Sequence, residues 1–152
     1  MATYSSDLIL GIGNGAAAPS VAPGTTRPVY GSVSIASNTS FGTTDTLPLF
    51  TVSGPSMRLS NFWIDFPALD GGTGLGMNLV DTLATPTVIV SASTTPRAGG
   101  IVITSAAGHG KIGAAVAYTT NTTIQLTVNT SSTNTTGASA TVIYFGFDLL
   151  ED

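Results

Sequence analysis

Charge is what this chain has least of. Asp, Glu, Lys and Arg together make up 8% of its residues, against about a quarter in an ordinary soluble domain. Thr, Ser, Asn, Gly and Ala stand in their place. A surface of that kind is polar but repels its own copies weakly, and it loses its water at little cost when it meets another protein. It is suited to being packed into a larger assembly. The four cations, Arg27, Arg58, Arg97 and Lys111, are scattered, and the net charge is −4. Neutralising several phosphates takes a cluster of Lys or Arg, so no nucleic-acid partner is expected. A basic helix lying on a membrane surface is excluded for the same reason.

Cysteine is absent. No disulfide framework and no thiolate metal site can form, and the chain suits folding in a reducing cytoplasm. The single histidine, His109, lies in Gly108-His109-Gly110. Such a turn does not hold a base rigidly against a nucleophile and an orienting acid, and a zinc site needs several ligands. No apolar run approaches the ~20 residues of a spanning helix. The first residues also lack the basic region of a secretory signal, so no membrane is expected among the partners. A long segment of helical periodicity is missing too; one turn around Leu79 to Leu83 is the sole helical candidate.

What is present reads as an arm followed by many short strands. Residues 1–28 contain Gly11, Gly13, Gly15, Pro19, Pro23, Gly24 and Pro28, a density that prevents both a regular helix and a central strand. The same stretch carries Leu8, Ile9, Leu10 and Ile12. A freely solvated tail rarely carries such a run, which points to an extended N-terminal arm ordered either against a partner chain or on its own domain. Gly11-Ile-Gly13-Asn-Gly15 lacks the third glycine spacing and the βαβ setting of a dinucleotide site.

Residues 29–152 form the second unit. Val29, Gly31, Val33 and Ile35 share one parity, and Leu47 and Leu49 repeat it, with Val52 out of step. Over 57–66, Phe62, Ile64 and Phe66 face one side, with Arg58 and Ser60; Leu59, Asn61, Trp63 and Asp65 face the other. Further runs lie at 87–91, 100–104, 111–118 and 122–128. The last, 140–149, sets Ile143, Phe145, Phe147 and Leu149 against Val142, Tyr144 and Asp148. Turn clusters such as Ser53-Gly54-Pro55 and Asp70-Gly71-Gly72 separate them. The pattern is that of an all-β antiparallel β-sandwich, with Phe62, Ile64, Phe66, Ile143, Phe145 and Phe147 in its core. The Thr-rich stretch 121–136 reads as a strand and then a polar hairpin loop.

Candidate sites are few. Asp65, Asp70 and Asp81 are near in sequence but follow no metal-loop or glycosidase spacing; Asp70-Gly71-Gly72 reads as a turn in which the carboxylate bonds its own backbone. The sequons at Asn38, Asn121, Asn129 and Asn134 arise readily in so Thr-rich a chain. Trp63, the only tryptophan, packs in the core or between subunits, or else serves, with Tyr118 or Tyr144, as a stacking platform for a sugar.

The order of segments from Leu47 onward is familiar. It runs Leu47-Pro-Leu-Phe50, Ser53-Gly-Pro-Ser-Met-Arg-Leu59, Phe62-Trp-Ile-Asp-Phe-Pro-Ala-Leu-Asp70, Asn78-Leu-Val-Asp81, Arg97-Ala-Gly-Gly100, Thr122-Thr-Ile-Gln-Leu-Thr127 and the closing Val142-Ile-Tyr-Phe-Gly-Phe-Asp148. Over residues 47–148 this resembles the small virion proteins of tailed bacteriophages of the head decoration or cement kind. The resemblance implies a jelly-roll-like sandwich on the outer capsid, clamping neighbouring capsomers. It implies the major capsid protein and a homotrimer of self as partners, no catalytic site, no cofactor, and a place in the virion after synthesis in the bacterial host cytoplasm. Where such proteins have an Asp-rich loop, this chain has Asn78-Leu-Val-Asp81-Thr-Leu, which counts against a shared ion site. Leu8, Ile9, Leu10 and Ile12 are then the expected partner contacts of the arm. A phage tail or fibre β-domain and a carbohydrate-binding module are the alternatives.

Overall fold

The computed structural model of the protein describes residues 6–10, 26–52, 56–71, 74–103, 117–118 and 121–151. Within the described residues ten strands follow one another: β1 (Ser6–Leu10), β2 (Thr26–Ile35), β3 (Thr46–Val52), β4 (Met57–Phe66), β5 (Gly76–Asp81), β6 (Val88–Ser93), β7 (Gly100–Ile103), β8 (Ala117–Tyr118), β9 (Thr122–Thr130) and β10 (Thr141–Glu151). A four-residue helix, α1 (Thr95–Ala98), joins β6 to β7. One sheet has the order β1-β2-β10-β4-β7, with β8 beside β4, and the other the order β3-β9-β5-β6. Every pairing is antiparallel. Without the short β1 and β8, the two sheets are β2-β10-β4-β7 and β3-β9-β5-β6, eight strands in the double Greek key of a jelly roll. The sandwich expected from strand alternation is therefore present, and its topology is the jelly-roll one.

The inner faces meet in one apolar layer. Val33, Ile35, Ile143, Phe145, Phe147, Phe62, Ile64 and Phe66 come from the first sheet; Leu47, Leu49, Phe50, Ile124, Leu126, Met77 and Leu79 come from the second. Phe147 is the hub. Its ring lies 4.8 Å from Phe50 across the sandwich, 5.7 Å from Phe62 and 5.8 Å from Phe145. These tilted and offset contacts are the geometry that aromatic quadrupoles favour.

Irregularities of register alter the side-chain alternation. In β4 the pairing with β10 jumps from Asp148↔Asn61 to Leu149↔Leu59, leaving Ser60 as the extra residue. The Ser60 hydroxyl donates to the Asp148 carbonyl at 3.1 Å. Met57 and Leu59 thereby join the buried side together with Phe62, whereas unbroken alternation over 57–66 sets Leu59 beside Trp63. In β3 the pairing jumps from Pro48↔Gln125 to Phe50↔Ile124, so Leu49, Phe50 and Val52 are all buried. That resolves the out-of-step Val52. In β6 the pairing changes between Val90 and Ser93, and Ala92 takes a left-handed backbone at φ 48°.

Proline sits where the ladders permit. Pro48 is on β3, an edge strand, a placement that sheets tolerate for a residue without an N–H. The helical turn is at Thr95–Ala98 with Pro96 in its first turn, and Leu79 to Asp81 belong to β5, which corrects the helical candidate at Leu79 to Leu83. Pro supplies the fixed φ that starts a helix. Gly99, at φ 83°, stops it.

Candidate functional site

Sequence reading singled out three carboxylates, and the structure separates them. Asp70 and Asp81 lie near the two ends of β5, roughly 20 Å apart along an extended chain at ~3.3 Å per residue. Asp65 is on β4, on the outer side of its sheet, beside Tyr144 of β10 and Ile101 of β7 in the register. Asp70 and Asp81 are too far apart to act as a glycosidase pair. Among the described residues no group of three His, Cys, Asp or Glu side chains converges to hold a metal ion. His109 lies outside the described residues.

Asp70 is more than a turn residue. Its side chain is buried, 1% exposed. One oxygen accepts the backbone N–H of Leu75 and of Thr133, the other that of Asn134, each at 3.0 Å. Leu75 lies in its own loop, but Thr133 and Asn134 lie in the β9–β10 loop, which local sequence does not reveal. Around it the loops at one end of the sandwich are laced together. The Arg97 Nε–H donates to the Leu75 carbonyl at 2.8 Å, and the Leu69 N–H donates to the Pro96 carbonyl at 2.8 Å. The β2–β3 loop joins through Thr136 N–H to Thr39 O at 2.8 Å and Ser132 N–H to Phe41 O at 2.9 Å. Asp70 is a structural anchor of that end.

Asp81 does the same near the other end. It is 1% exposed; Oδ1 accepts the N–H of Thr87 at 2.9 Å and of Leu83 at 3.2 Å, and Oδ2 accepts the Tyr118 hydroxyl at 3.3 Å. Burial, and then the neighbouring Asp81 charge and hydrogen bond, push the Tyr118 hydroxyl well above its ordinary value. Tyr118 is 2% exposed, which removes it from the candidate stacking residues.

Trp63 is neither in the core nor free. It stands half-buried on the outer face of β4, its ring 6.5 Å from that of Tyr30. Gly146 of β10 lies between them, paired with Tyr30 on one side and Trp63 on the other. A Cβ at Gly146 would overlap Nε1, Cε2 and Cζ2 of the indole, so the ring packs directly over bare backbone. Tyr144 is 53% exposed on the same face. The gap lined by Ile64, Phe66, Met77, Leu79, Val90 and Val102 measures about 10 Å³, room for one water at most.

The six residues read as core, Phe62, Ile64, Phe66, Ile143, Phe145 and Phe147, are each 3% exposed or less. Of the four arm residues, Leu8, Ile9 and Leu10 lie in β1, opposite Gly31, Tyr30 and Val29 of β2. Ile12 lies outside the described residues.

No family model matches the chain, and no curated protein does. Solved structures share its fold. A chain of the capsid of Ralstonia phage GP4 superposes with a TM-score of 0.65 at 14% identity, over 95% of this chain and 91% of that one. A chain of the cyanophage Pam1 capsid asymmetric unit superposes with a TM-score of 0.57 at 17% identity, over 90% of this chain and 93% of that one. The likeness is one of fold, and it runs through nearly the whole of both chains.

Proposed function

We propose that this chain is a structural phage virion protein that decorates the outer surface of the head and clamps neighbouring capsomers. The observation that carries the reading is the match of nearly its entire length, as one jelly roll, to similarly sized chains in two phage capsids. The uncharged polar surface supports it, because many weak neutral contacts desolvate easily. So does the use of Asp70 and Asp81 to pin loops, an employment that favours a rigid building block over a catalyst.

On this reading the partners are the major capsid protein and two further copies in a homotrimer, with no role for nucleic acid or membrane. The protein is made in the bacterial host cytoplasm and resides on the capsid. Residues 1–28 form the arm, whose Leu8, Ile9, Leu10 and Ile12 add partner contacts; residues 29–152 form the body. Among the described residues β1 is the edge strand of its sheet, the kind of strand to which a neighbour can add.

Light scattering on the purified chain, with and without residues 1–28, tests the assembly. The expected result is a trimer for the full chain and, for the truncated chain, a folded body that occupies capsids less. A capsid occupancy unchanged by the truncation removes the arm from the account. Failure of the full chain to bind the capsid of its own phage removes the function.

A further inference from the structure

The outer faces of the two sheets differ. That of β3-β9-β5-β6 carries Thr51, Thr123, Gln125 and Thr127. That of β2-β10-β4-β7 carries two rows running across the strands: Ser32, Tyr144, Asp65 and Ile101 in one, and Tyr30, Gly146, Trp63 and Ile103 in the next. The described residues expose five large hydrophobic side chains, and four of them, Tyr30, Tyr144, Ile101 and Ile103, are in these two rows. Ile101 is 62% exposed. Val88 is the fifth, on the other sheet; the clustering of the remaining four marks a contact face.

From this we infer that the outer face of β2-β10-β4-β7 is the surface that docks on the major capsid protein, against arginine or lysine side chains set among apolar ones. The inference rests on the decoration reading and names the surface it uses. Three features select the occupant. Ile101 and Ile103 are branched aliphatics, which gain from apolar protein side chains and little from a hydroxylated sugar. Asp65 lies within the first row, and Asp148, held by Asn61 at 3.4 Å, lies one step beyond the second. Carboxylates beside the rings of Trp63, Tyr30 and Tyr144 favour a cation, as ion-pair partner and over a ring face. A second copy supplies that cation poorly, with four Lys and Arg in the whole sequence and a net charge of −4.

The test uses the full chain and capsids of its own phage assembled without it. Two variants alter the face: Tyr144→Ser combined with Ile101→Thr at exposed positions, and Asp65→Lys at a half-buried one. Ser91→Lys on the opposite sheet is the control. Co-sedimentation should show each face variant weakened roughly tenfold or more and the control unchanged. Added salt should weaken the wild type more than Asp65→Lys. Wild-type binding by both face variants overturns the inference and leaves the decoration role standing; no binding by the wild type overturns both. Loss of the oligomer in the face variants, with capsid binding kept, assigns the face to a second copy. Retention on bacterial lipopolysaccharide that the Tyr144→Ser variant loses assigns it to a sugar. Either result overturns the inference.

Discussion

Replacing Asp70 by Asn changes one oxygen into an NH₂ group and removes a charge, with almost no change in shape. The carboxylate now accepts three backbone N–H groups, from Leu75, Thr133 and Asn134. If the amide oxygen takes the place of Oδ2, the bond to Asn134 is lost and two donors face each other. If the amide flips, the bonds to Leu75 and Thr133 are lost instead. A hydrogen bond to a charged group contributes about 1.5–3 kcal/mol. Thr133 and Asn134 are exposed, and water recovers part of the loss. Asp70→Asn should therefore destabilise by about 2–4 kcal/mol. At roughly 2–4 °C per kcal/mol for a chain of this size, the melting temperature falls by about 5–15 °C. Urea unfolding followed by circular dichroism gives the free energy. Hydrogen exchange gives the location, with the amides of Thr133 and Asn134 exchanging faster while the β4 and β10 core stays protected. A variant within about 0.5 kcal/mol of wild type, exchanging as wild type does, would refute the claim that Asp70 anchors that end.

Other perturbations address separate parts of the structure. Gly146→Ala forces the Trp63 indole off the sheet; it should cost about 1–3 kcal/mol and shift the emission of the only tryptophan toward that of a solvated ring, and unchanged fluorescence would contradict the packing described. Ala92 holds a left-handed backbone with its N–H bonded to Asn78 Oδ1 at 2.6 Å, so Ala92→Gly should raise stability by about 0.5–1 kcal/mol, and a loss measured by urea unfolding would show the opposite. Tyr118 is held neutral by burial and by Asp81. Its folded-state pKa is raised above the unfolded value of about 10, so its stabilising contribution is complete below pH ~10 and declines as the pH climbs above it. Between pH 9 and 11.5 the urea midpoint should fall more for wild type than for Tyr118→Phe, and equal falls would count against the Tyr118–Asp81 contact.

Period-two alternation is a strong signal where a strand keeps register, and β2 and β10 do. Val29, Val33, Ile35, Ile143, Phe145, Phe147 and Leu149 could be placed on one side from sequence, and all are buried. The signal failed where a bulge adds a residue. Ser60 moves Leu59 to the buried side, and Leu49 brings Phe50 into the core, because each extra residue inverts the alternation beyond it. Two of the partners of Asp70 stand 63 and 64 residues away, a distance over which local turn chemistry carries no information. Trp63 was ambiguous for a related reason. Only the register shows that a glycine on the next strand leaves room for its ring. The two-row face is likewise a product of register, since its residues come from four strands separated in sequence.

The claim that this jelly roll decorates a phage head is tested most directly by cryo-electron microscopy of the phage that encodes it. Particles from the wild-type phage and from a strain lacking this gene are compared. The account predicts a density of this size on the outer shell of wild-type heads, fitted by the two-sheet sandwich and missing from the deletion. Identical heads from both strains, or the density found on the tail instead, would contradict it.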